Sequence, residues 1–238
     1  MKPAITSLFL VLSIWTYGQK SKFQLVVQSV AMEDCADHLP IDTTLNWYSV
    51  MHTDSGDFMI SIDPSKYTYE ERGMKKGPFE LNLTEGQKSL FVFGVSKTLA
   101  EGKVSHQDLE YYNYQQFIYP GQQQNIYVLG NNPKRQSYTL HGTGCGTADL
   151  HFPVKDYGLV LKTSGSSPTT QDIIKEFSML GETGMPILEW FGDIDGDFRP
   201  DLLFTSGSTK GTHYTLFVSS EAEMLVRKVS TYDHGNCY

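Results

Sequence analysis

Short apolar runs recur along most of the chain and are separated by residues that favour turns. Several runs alternate apolar and polar positions, as in SLFVFGV (residues 89–95) and NIYVLG (residues 125–130). A period of two is typical of strands that bury one face, and Val, Phe, Tyr and Thr are common in these runs. The spacers DSGD, YPGQQQ, GNNPK and SGSSP supply turn chemistry. The pattern therefore predicts a mostly-β protein.

One segment also fits a helix. Residues 171–180 place Ile173, Ile174, Phe177 and Leu180 at helical spacing behind Thr170, a suitable N-cap. A strand with a loop is the alternative for the same residues. The predicted strands elsewhere are Phe23–Val30, Leu45–Met51, Phe58–Ile62, Phe79–Leu83, Ser89–Gly94, Tyr112–Tyr119, Asn125–Leu129, Ser137–Leu140, Gly158–Lys162, Pro186–Phe191, Leu202–Thr205, Thr215–Ser219 and Met224–Val229.

The N-terminal residues have the three parts of a secretory signal. Lys2 gives the positive start, Ile5 to Trp15 form an apolar stretch, and Thr16-Tyr17-Gly18 offers a small-x-small cleavage site. A membrane anchor is the alternative, but about 11 apolar residues fall short of the roughly 20 that a bilayer core requires. We therefore expect residues 1–18 to be a signal peptide and the mature protein to be secreted, periplasmic or on the cell surface. No later run is apolar for long enough to span a membrane.

Acidic residues outnumber basic ones, 27 against 19, which gives a formal net charge of −8. Nucleic acids and anionic membrane surfaces attract basic patches, so neither is expected as a partner. The length of the mature chain suits one large domain or two small ones. The glycine-rich GTGCG (residues 142–146) marks the boundary that we predict, between an N-terminal β-rich domain (19–141) and a C-terminal β-rich domain (142–238).

The three cysteines, Cys35, Cys145 and Cys237, are too few for a disulfide-built miniprotein and too far apart for a zinc site. In an oxidising compartment one pair can form and one thiol is left over. We predict a disulfide between Cys145 and Cys237, because it would hold a C-terminus that otherwise frays. Cys35 is the alternative partner.

Four aspartates lie within nine residues in EWFGDIDGDFRPDLLF (residues 189–204), although like charges at such spacing repel. Counted from Asp193, side-chain oxygens fall at positions 1, 3, 5 and 9, which are Asp193, Asp195, Asp197 and Asp201, and the Arg199 carbonyl is at position 7. Oxygen ligands without His or Cys suit Ca²⁺, which accepts roughly 6–8 of them in flexible geometry. We predict that these five residues bind calcium. An acidic turn without a metal is the alternative.

The loop is not an EF-hand, which needs Gly at position 6 and Glu at position 12, where this chain has Phe198 and Phe204. It resembles instead the calcium-binding signature of FG-GAP and VCBS-type β-propeller repeats, Gly-Asp-x-Asp/Asn-Gly-Asp-Gly-x-x-Asp-Leu. The matching residues are Gly192, Asp193, Asp195, Gly196, Asp197, Asp201 and Leu202, and Phe198 departs from the usual Gly. The resemblance covers residues 185–238, whose last part is similar to the tail of exported bacterial proteins with this loop.

This resemblance implies calcium binding, and adhesion or ligand recognition outside the cell. One motif cannot fill a propeller of several blades. The predicted fold is therefore mostly β, a β-sandwich or partial β-propeller-like sheets, with the calcium loop between two strands, Pro186–Phe191 and Leu202–Thr205.

Three further segments each have two interpretations. HGTGCG (residues 141–146) sets His141 four residues before Cys145, which suits a thiolate nucleophile or, more simply, a disulfide. EDCADH (residues 33–38) could hold a transition metal or face solvent. EYYNYQQFIYPGQQQNIY (residues 110–127) interleaves Tyr and Gln, which suits stacking on sugar rings or burial of one strand face in the core.

These features predict an exported, calcium-binding β-protein without catalytic activity of its own, with a structural or a recognition role. Its partner would be an extracellular glycan or protein. The alternative is a secreted polysaccharide-binding protein or hydrolase in which calcium is structural. No recognisable nucleophile or acid–base signature supports the hydrolase.

Overall fold

The structure, a computed structural model, describes residues 21–27, 41–63, 88–106, 117–127, 137–146, 154–164, 167–180, 184–208 and 211–234. These residues are mostly in strands with almost no helix, which confirms the predicted fold class. Within the same ranges, no helix is both long and apolar enough to cross a bilayer. Residues 1–18, Cys35, Cys237 and the predicted strand Phe79–Leu83 lie outside the described residues.

The strands of the described ranges form three antiparallel sheets, none of which is closed. In chain order they are β1 (Phe23–Val26), β2 (Asn46–Thr53), β3 (Gly56–Ile62), β4 (Lys88–Val95), β5 (Gly102–Lys103), β6 (Ser105–His106), β7 (Gln123–Tyr127), β8 (Ser137–Cys145), β9 (Val154–Thr163), β10 (Thr170–Leu180), β11 (Ile187–Asp193), β12 (Asp201–Ser208), β13 (Gly211–Val218) and β14 (Arg227–His234). Sheet one has the order β1-β4-β2-β3-β5, sheet two the order β10-β9-β8-β7, and the central sheet the order β14-β13-β12-β11-β6. The arrangement is compatible with a β-sandwich-like fold.

Side chains of the central sheet point into two hydrophobic cores, one on each face. Along β12, Leu203 belongs to the first core, which is shared with sheet one. Leu202 and Phe204 belong to the second core, which is shared with sheet two. Because both faces are buried, these strands carry continuous apolar runs rather than a strict alternation. The central sheet is therefore the middle of three layers.

A β-bulge in β11 turns Trp190 into the first core. Leu188 packs in the second core, and a regular strand would place a residue two positions later on the same face. The register with β12 shifts between these two residues, which moves Trp190 to the other face. There its ring meets Phe91 edge-on, 5.2 Å between centroids, and its Nε1 donates to Oδ2 of the buried Asp57 at 2.8 Å. Trp190 thus joins the central sheet to sheet one.

Residues 170–180 form strand β10, so the helix predicted over residues 171–180 is wrong and the alternative strand is found. The pairing of β10 with β9 shifts register between Asp172 and Ile174, and again between Ile174 and Phe177. Each irregularity inserts a residue that breaks the period of two. The apolar residues then fall at a spacing that imitates a helix.

Most predicted strands within the described ranges overlap strands of the structure, often with different ends. β8 and β9 are longer than predicted, and β14 begins at Arg227 rather than at Met224. The short strands β5 and β6 were not anticipated by the pattern. The domain boundary predicted at residue 142 falls inside β8, and the first core contains residues from both predicted domains.

Candidate metal centre

The aspartate loop joins β11 to β12, two strands of the central sheet. The strands pair antiparallel up to Gly192 and Asp201, which confirms the predicted hairpin of Pro186–Phe191 with Leu202–Thr205. Both strands contribute to the two cores, so the ends of the loop are held by buried structure.

Three of the four predicted carboxylates come together in this loop. Asp193, Asp195 and Asp197 each offer one oxygen, and these oxygens lie within 4.8 Å of one another. The loop is folded around Asp193, whose Oδ1 accepts the N–H of Gly196 at 2.7 Å and of Asp197 at 3.1 Å. Its Oδ2 accepts the N–H of Phe198 at 2.9 Å. The 1-3-5 spacing therefore converges the three side chains, as predicted.

Of the three clustered aspartates, Asp195 is the one whose carboxylate is not fully hydrogen-bonded. Its side chain is only 4% exposed. Oδ2 accepts hydrogen bonds from Ser220 Oγ and from Lys97 Nζ, the latter at 3.2 Å. Oδ1 is buried and has no hydrogen-bond partner. Because an unpaired buried carboxylate oxygen is costly, this atom is suited to a cation.

Asp201, the fourth predicted carboxylate, is not part of that group. It is fully buried, and its Oδ2 accepts the N–H of Ile194 at 2.8 Å. Its Oδ1 accepts the N–H of Ser219 at 2.8 Å and the Ser219 hydroxyl at 3.1 Å. Asp201 therefore orders the loop against the residue that follows β13, and its role as a direct metal ligand stays a prediction.

The side chain of Arg199 also belongs to the site. Nε donates to Asp197 Oδ2 at 3.0 Å, and Nη2 donates to the carbonyl of Ser219 at 2.7 Å. The Ser219 hydroxyl lies 3.0 Å from both carboxylate oxygens of Asp197. No signal in the sequence marks Ser219, Ser220 or Lys97, because chain folding alone brings them to the loop. That the Arg199 carbonyl binds the ion stays a prediction.

Negative charge exceeds positive charge at this site. Four aspartates face two cationic side chains, Lys97 and Arg199, and Lys97 is also 3.4 Å from Glu221. Burial raises the pKa of Asp193, an effect that backbone hydrogen bonds offset in part and neighbouring aspartates reinforce. Burial raises the pKa of Asp201 well above its usual value, and the Asp195 charge adds to this. Acidic groups therefore outnumber cationic groups at the loop, which favours the binding of a cation.

Phe198 occupies the position at which the resembled signature has Gly. Its φ of 63° lies in the left-handed region, and its side chain is 51% exposed. A residue with a Cβ pays about 1–2 kcal/mol for this conformation. Because half of the side chain is exposed, burial of the ring offsets at most part of this cost.

Phe198→Gly should raise the free energy of unfolding by up to about 1 kcal/mol, because glycine takes this φ without strain but also gains freedom in the unfolded chain. Urea denaturation of the metal-free protein measures the change. Phe198→Ala is the matched control, since it removes the ring and keeps the strained backbone. Equal stability of the Gly and Ala variants would show that the ring, and not the backbone, sets the cost.

HGTGCG lies at the end of β8, where His141 and Cys145 are four residues apart in one strand. The buried Nδ1 of His141 has no hydrogen-bond partner and Cys145 is exposed, so the two side chains do not form a thiolate–imidazole pair through that atom. Gly142 is required by packing, because a Cβ there would lie 2.4 Å from the carbonyl oxygen of Tyr119. Cys145 is exposed, and its disulfide with Cys237 stays a prediction because Cys237 lies outside the described residues.

The other two segments lie wholly or partly outside the described residues. EDCADH lies outside them, as do residues 110–116 of the Tyr- and Gln-rich segment. In the rest of that segment, Phe117 and Tyr119 pack against the second core, and Ile118 and Ile126 are buried in it. These aromatic residues therefore cover the core, which is the simpler of the two interpretations.

No protein family model, no curated protein and no solved structure matches this chain. The resemblance of the loop to FG-GAP and VCBS-type repeats therefore stays a prediction. The fold and the loop define a layered β-protein with an oxygen-rich candidate cation site.

Proposed function

We propose that this is an exported, non-catalytic β-protein in which the loop from Asp193 to Asp201 binds one Ca²⁺. The observation that carries the proposal is Asp195 Oδ1, which is buried without a hydrogen-bond partner beside two further carboxylates. A cation would pair with this oxygen and offset the repulsion among the three aspartates. Asp193, Asp195 and Asp197 would bind it by side chain, with the Arg199 carbonyl and Asp201 as further ligands.

The chemistry of the loop favours calcium over other cations. The groups that converge are carboxylates, and the neighbours that contact them are hydroxyl, ammonium, guanidinium and backbone groups. Oxygen ligands without His or Cys are typical of Ca²⁺ and Mg²⁺ rather than of zinc. A loop with irregular neighbours suits the flexible coordination of Ca²⁺, at about 2.3–2.6 Å, better than the strict octahedron of Mg²⁺.

The ion would stabilise the junction between sheet one and the central sheet. Lys97, which follows β4 of sheet one, contacts both Asp195 in the loop and Ser220 after β13. Glu221 continues this contact, because it pairs with Lys97 and accepts the N–H of Ser21, just before β1, at 3.1 Å. A cation that fixes the loop would therefore also hold these two layers together.

Calcium should raise the melting temperature of the chelator-treated protein. At a hundred times its Kd, an ion that binds only the folded state adds about 2.7 kcal/mol, which corresponds to a shift of several degrees. Asp195→Asn should abolish the shift, because it removes a ligand. Its metal-free melting temperature should stay close to that of wild type, because the lost ion pair with Lys97 and the relieved repulsion among the aspartates oppose each other. Thermal melts with EDTA, millimolar Ca²⁺ or millimolar Mg²⁺ measure both effects.

Asp54→Asn is the matched control, since Asp54 is an exposed aspartate in the turn between β2 and β3. It should keep the full calcium shift. A wild-type melt that calcium does not move contradicts the proposal, as does an Asp195→Asn variant that keeps the full shift. An equal shift with Mg²⁺ would support a cation site but not its assignment to calcium.

A recognition role is supported by two large apolar side chains that are exposed near the loop. Phe198 is 51% exposed and Met224 is 49% exposed. The carbonyl of Met224 lies 3.5 Å from Arg199 Nη1, next to Phe198 in the chain. Contiguous exposed apolar surface marks interaction sites, and we propose that an extracellular glycan or protein would contact these two side chains. The test measures how much wild type and Phe198→Ser are retained on insoluble polysaccharide, with and without calcium. Equal retention of the two proteins would contradict a binding role for this surface.

A further inference from the structure

Lys97 places a positive charge directly against the aspartate loop. Its ammonium lies 3.2 Å from Oδ2 of Asp195, 3.0 Å from the Ser220 hydroxyl oxygen and 3.4 Å from a carboxylate oxygen of Glu221. The side chain of Asp195 is 4% exposed and that of Glu221 is 9% exposed. Solvent ions therefore screen these two ion pairs less than they screen a pair on the surface.

The two oxygens of the Asp195 carboxylate have different surroundings. Oδ2 accepts hydrogen bonds from Lys97 and from the Ser220 hydroxyl, whereas Oδ1 is buried and has no hydrogen-bond partner. One oxygen of this carboxylate lies within 4.8 Å of oxygens of Asp193 and Asp197. A divalent cation on Oδ1 would share a single carboxylate with the Lys97 ammonium, and like charges that close repel. The ammonium and a bound cation therefore each weaken the binding of the other.

Glu221 gives the Lys97 ammonium a second anionic partner outside the loop. One carboxylate oxygen of Glu221 pairs with Lys97, and the other accepts the N–H of Ser21 at 3.1 Å, which holds Glu221 beside sheet one. The Lys97 side chain is 33% exposed, and a lysine stem of four carbons is flexible. The ammonium can therefore move away from Asp195 and still keep a carboxylate partner that joins sheet one to the central sheet.

We propose that Lys97 is an internal competitor for the cation at the aspartate loop. Its ammonium neutralises Asp195 in the metal-free protein and shifts to Glu221 when calcium binds. This rests on the calcium binding proposed above. Lys97 then sets the affinity of the site, because each calcium ion has to overcome a positive charge that is already present. A residue that only oriented a ligand would have the opposite effect, since its loss would weaken metal binding.

Lys97→Gln separates the two roles, because it removes the charge and keeps a hydrogen-bond donor. The Kd of the full chain for calcium should fall about tenfold, since coupling between two binding events typically changes affinity about 5–150-fold. The metal-free melting temperature should also fall, because Asp195 and Glu221 lose their counter-charge. The increase that calcium produces should therefore be larger than in wild type. Calorimetric titration with Ca²⁺ measures the Kd, and melts in EDTA or millimolar Ca²⁺ measure the other quantities.

Two control variants should keep the wild-type Kd. Lys97→Arg keeps the charge at the loop. Lys22→Gln makes the same change in net charge nearby, because Lys22 pairs with Asp42 and its carbonyl accepts the N–H of Ser96 at 3.0 Å. If wild type binds calcium and Lys97→Gln binds it equally or more weakly, the competitor role is overturned and calcium binding stands. If neither protein binds calcium, the proposed function and the competitor role are both overturned.

Discussion

Replacing Asp201 by alanine should lower the free energy of unfolding by about 2 kcal/mol without metal and by about 4 kcal/mol with saturating calcium. The carboxylate of Asp201 is fully buried and accepts the N–H groups of Ile194 and Ser219, both at 2.8 Å. Each buried donor left without an acceptor costs about 1–3 kcal/mol. The metal-free loss stays at the lower end of this sum because alanine also removes a carboxyl whose pKa is raised by burial. With calcium present, the variant in addition loses much of the stabilisation by the ion.

Urea denaturation at neutral pH, with EDTA or with calcium, measures both losses. Asp201→Asn should lose less than Asp201→Ala, because it keeps an acceptor oxygen for one of the two N–H groups. Asp172→Ala removes an exposed aspartate from β10 and should change stability by less than about 0.5 kcal/mol. A loss below about 1 kcal/mol in both conditions would contradict the role assigned to Asp201.

The geometry of the loop could be predicted from sequence because its contacts are local. Asp193 accepts N–H groups from residues three, four and five positions later. Such contacts depend only on spacing and on Gly196, whose φ of 77° suits a tight turn. The 1-3-5 pattern was therefore sufficient to bring three carboxylates together. It could not show that Asp201 binds Ser219, which is 18 residues away.

The surroundings of the loop could not be predicted, because they depend on how the sheets stack. Lys97 reaches Asp195 across 98 residues of chain. A lysine after a strand is ordinary in sequence, and only the packing of sheet one on the central sheet gives it a role.

The central sheet shows why the spacing of apolar residues along a strand does not by itself predict which way each side chain points. β12 is buried on both faces, so its apolar run carries no alternation from which to assign inward and outward sides. In β11 a bulge sends Leu188 and Trp190 to opposite cores, although they are two residues apart. The same type of irregularity in β10 produced the incorrect helix. Bulges follow from pairing between strands, which one segment of sequence does not contain.

Trp190→Phe should lower the free energy of unfolding by about 3 kcal/mol, because it removes a hydrogen bond to a buried carboxylate and part of a core side chain. Trp190 Nε1 donates to Asp57 Oδ2 at 2.8 Å, and Asp57 is 1% exposed. Urea denaturation measures the loss. Trp47→Phe is the matched control, since Trp47 is also buried but donates to the neutral carbonyl of Asp42, at 2.9 Å, and should lose about 1–2 kcal/mol. Equal losses in the two variants would show that ring volume alone matters. A larger loss at Trp190 would show that its hydrogen bond to Asp57 holds sheet one against β11, the strand that leads into the aspartate loop.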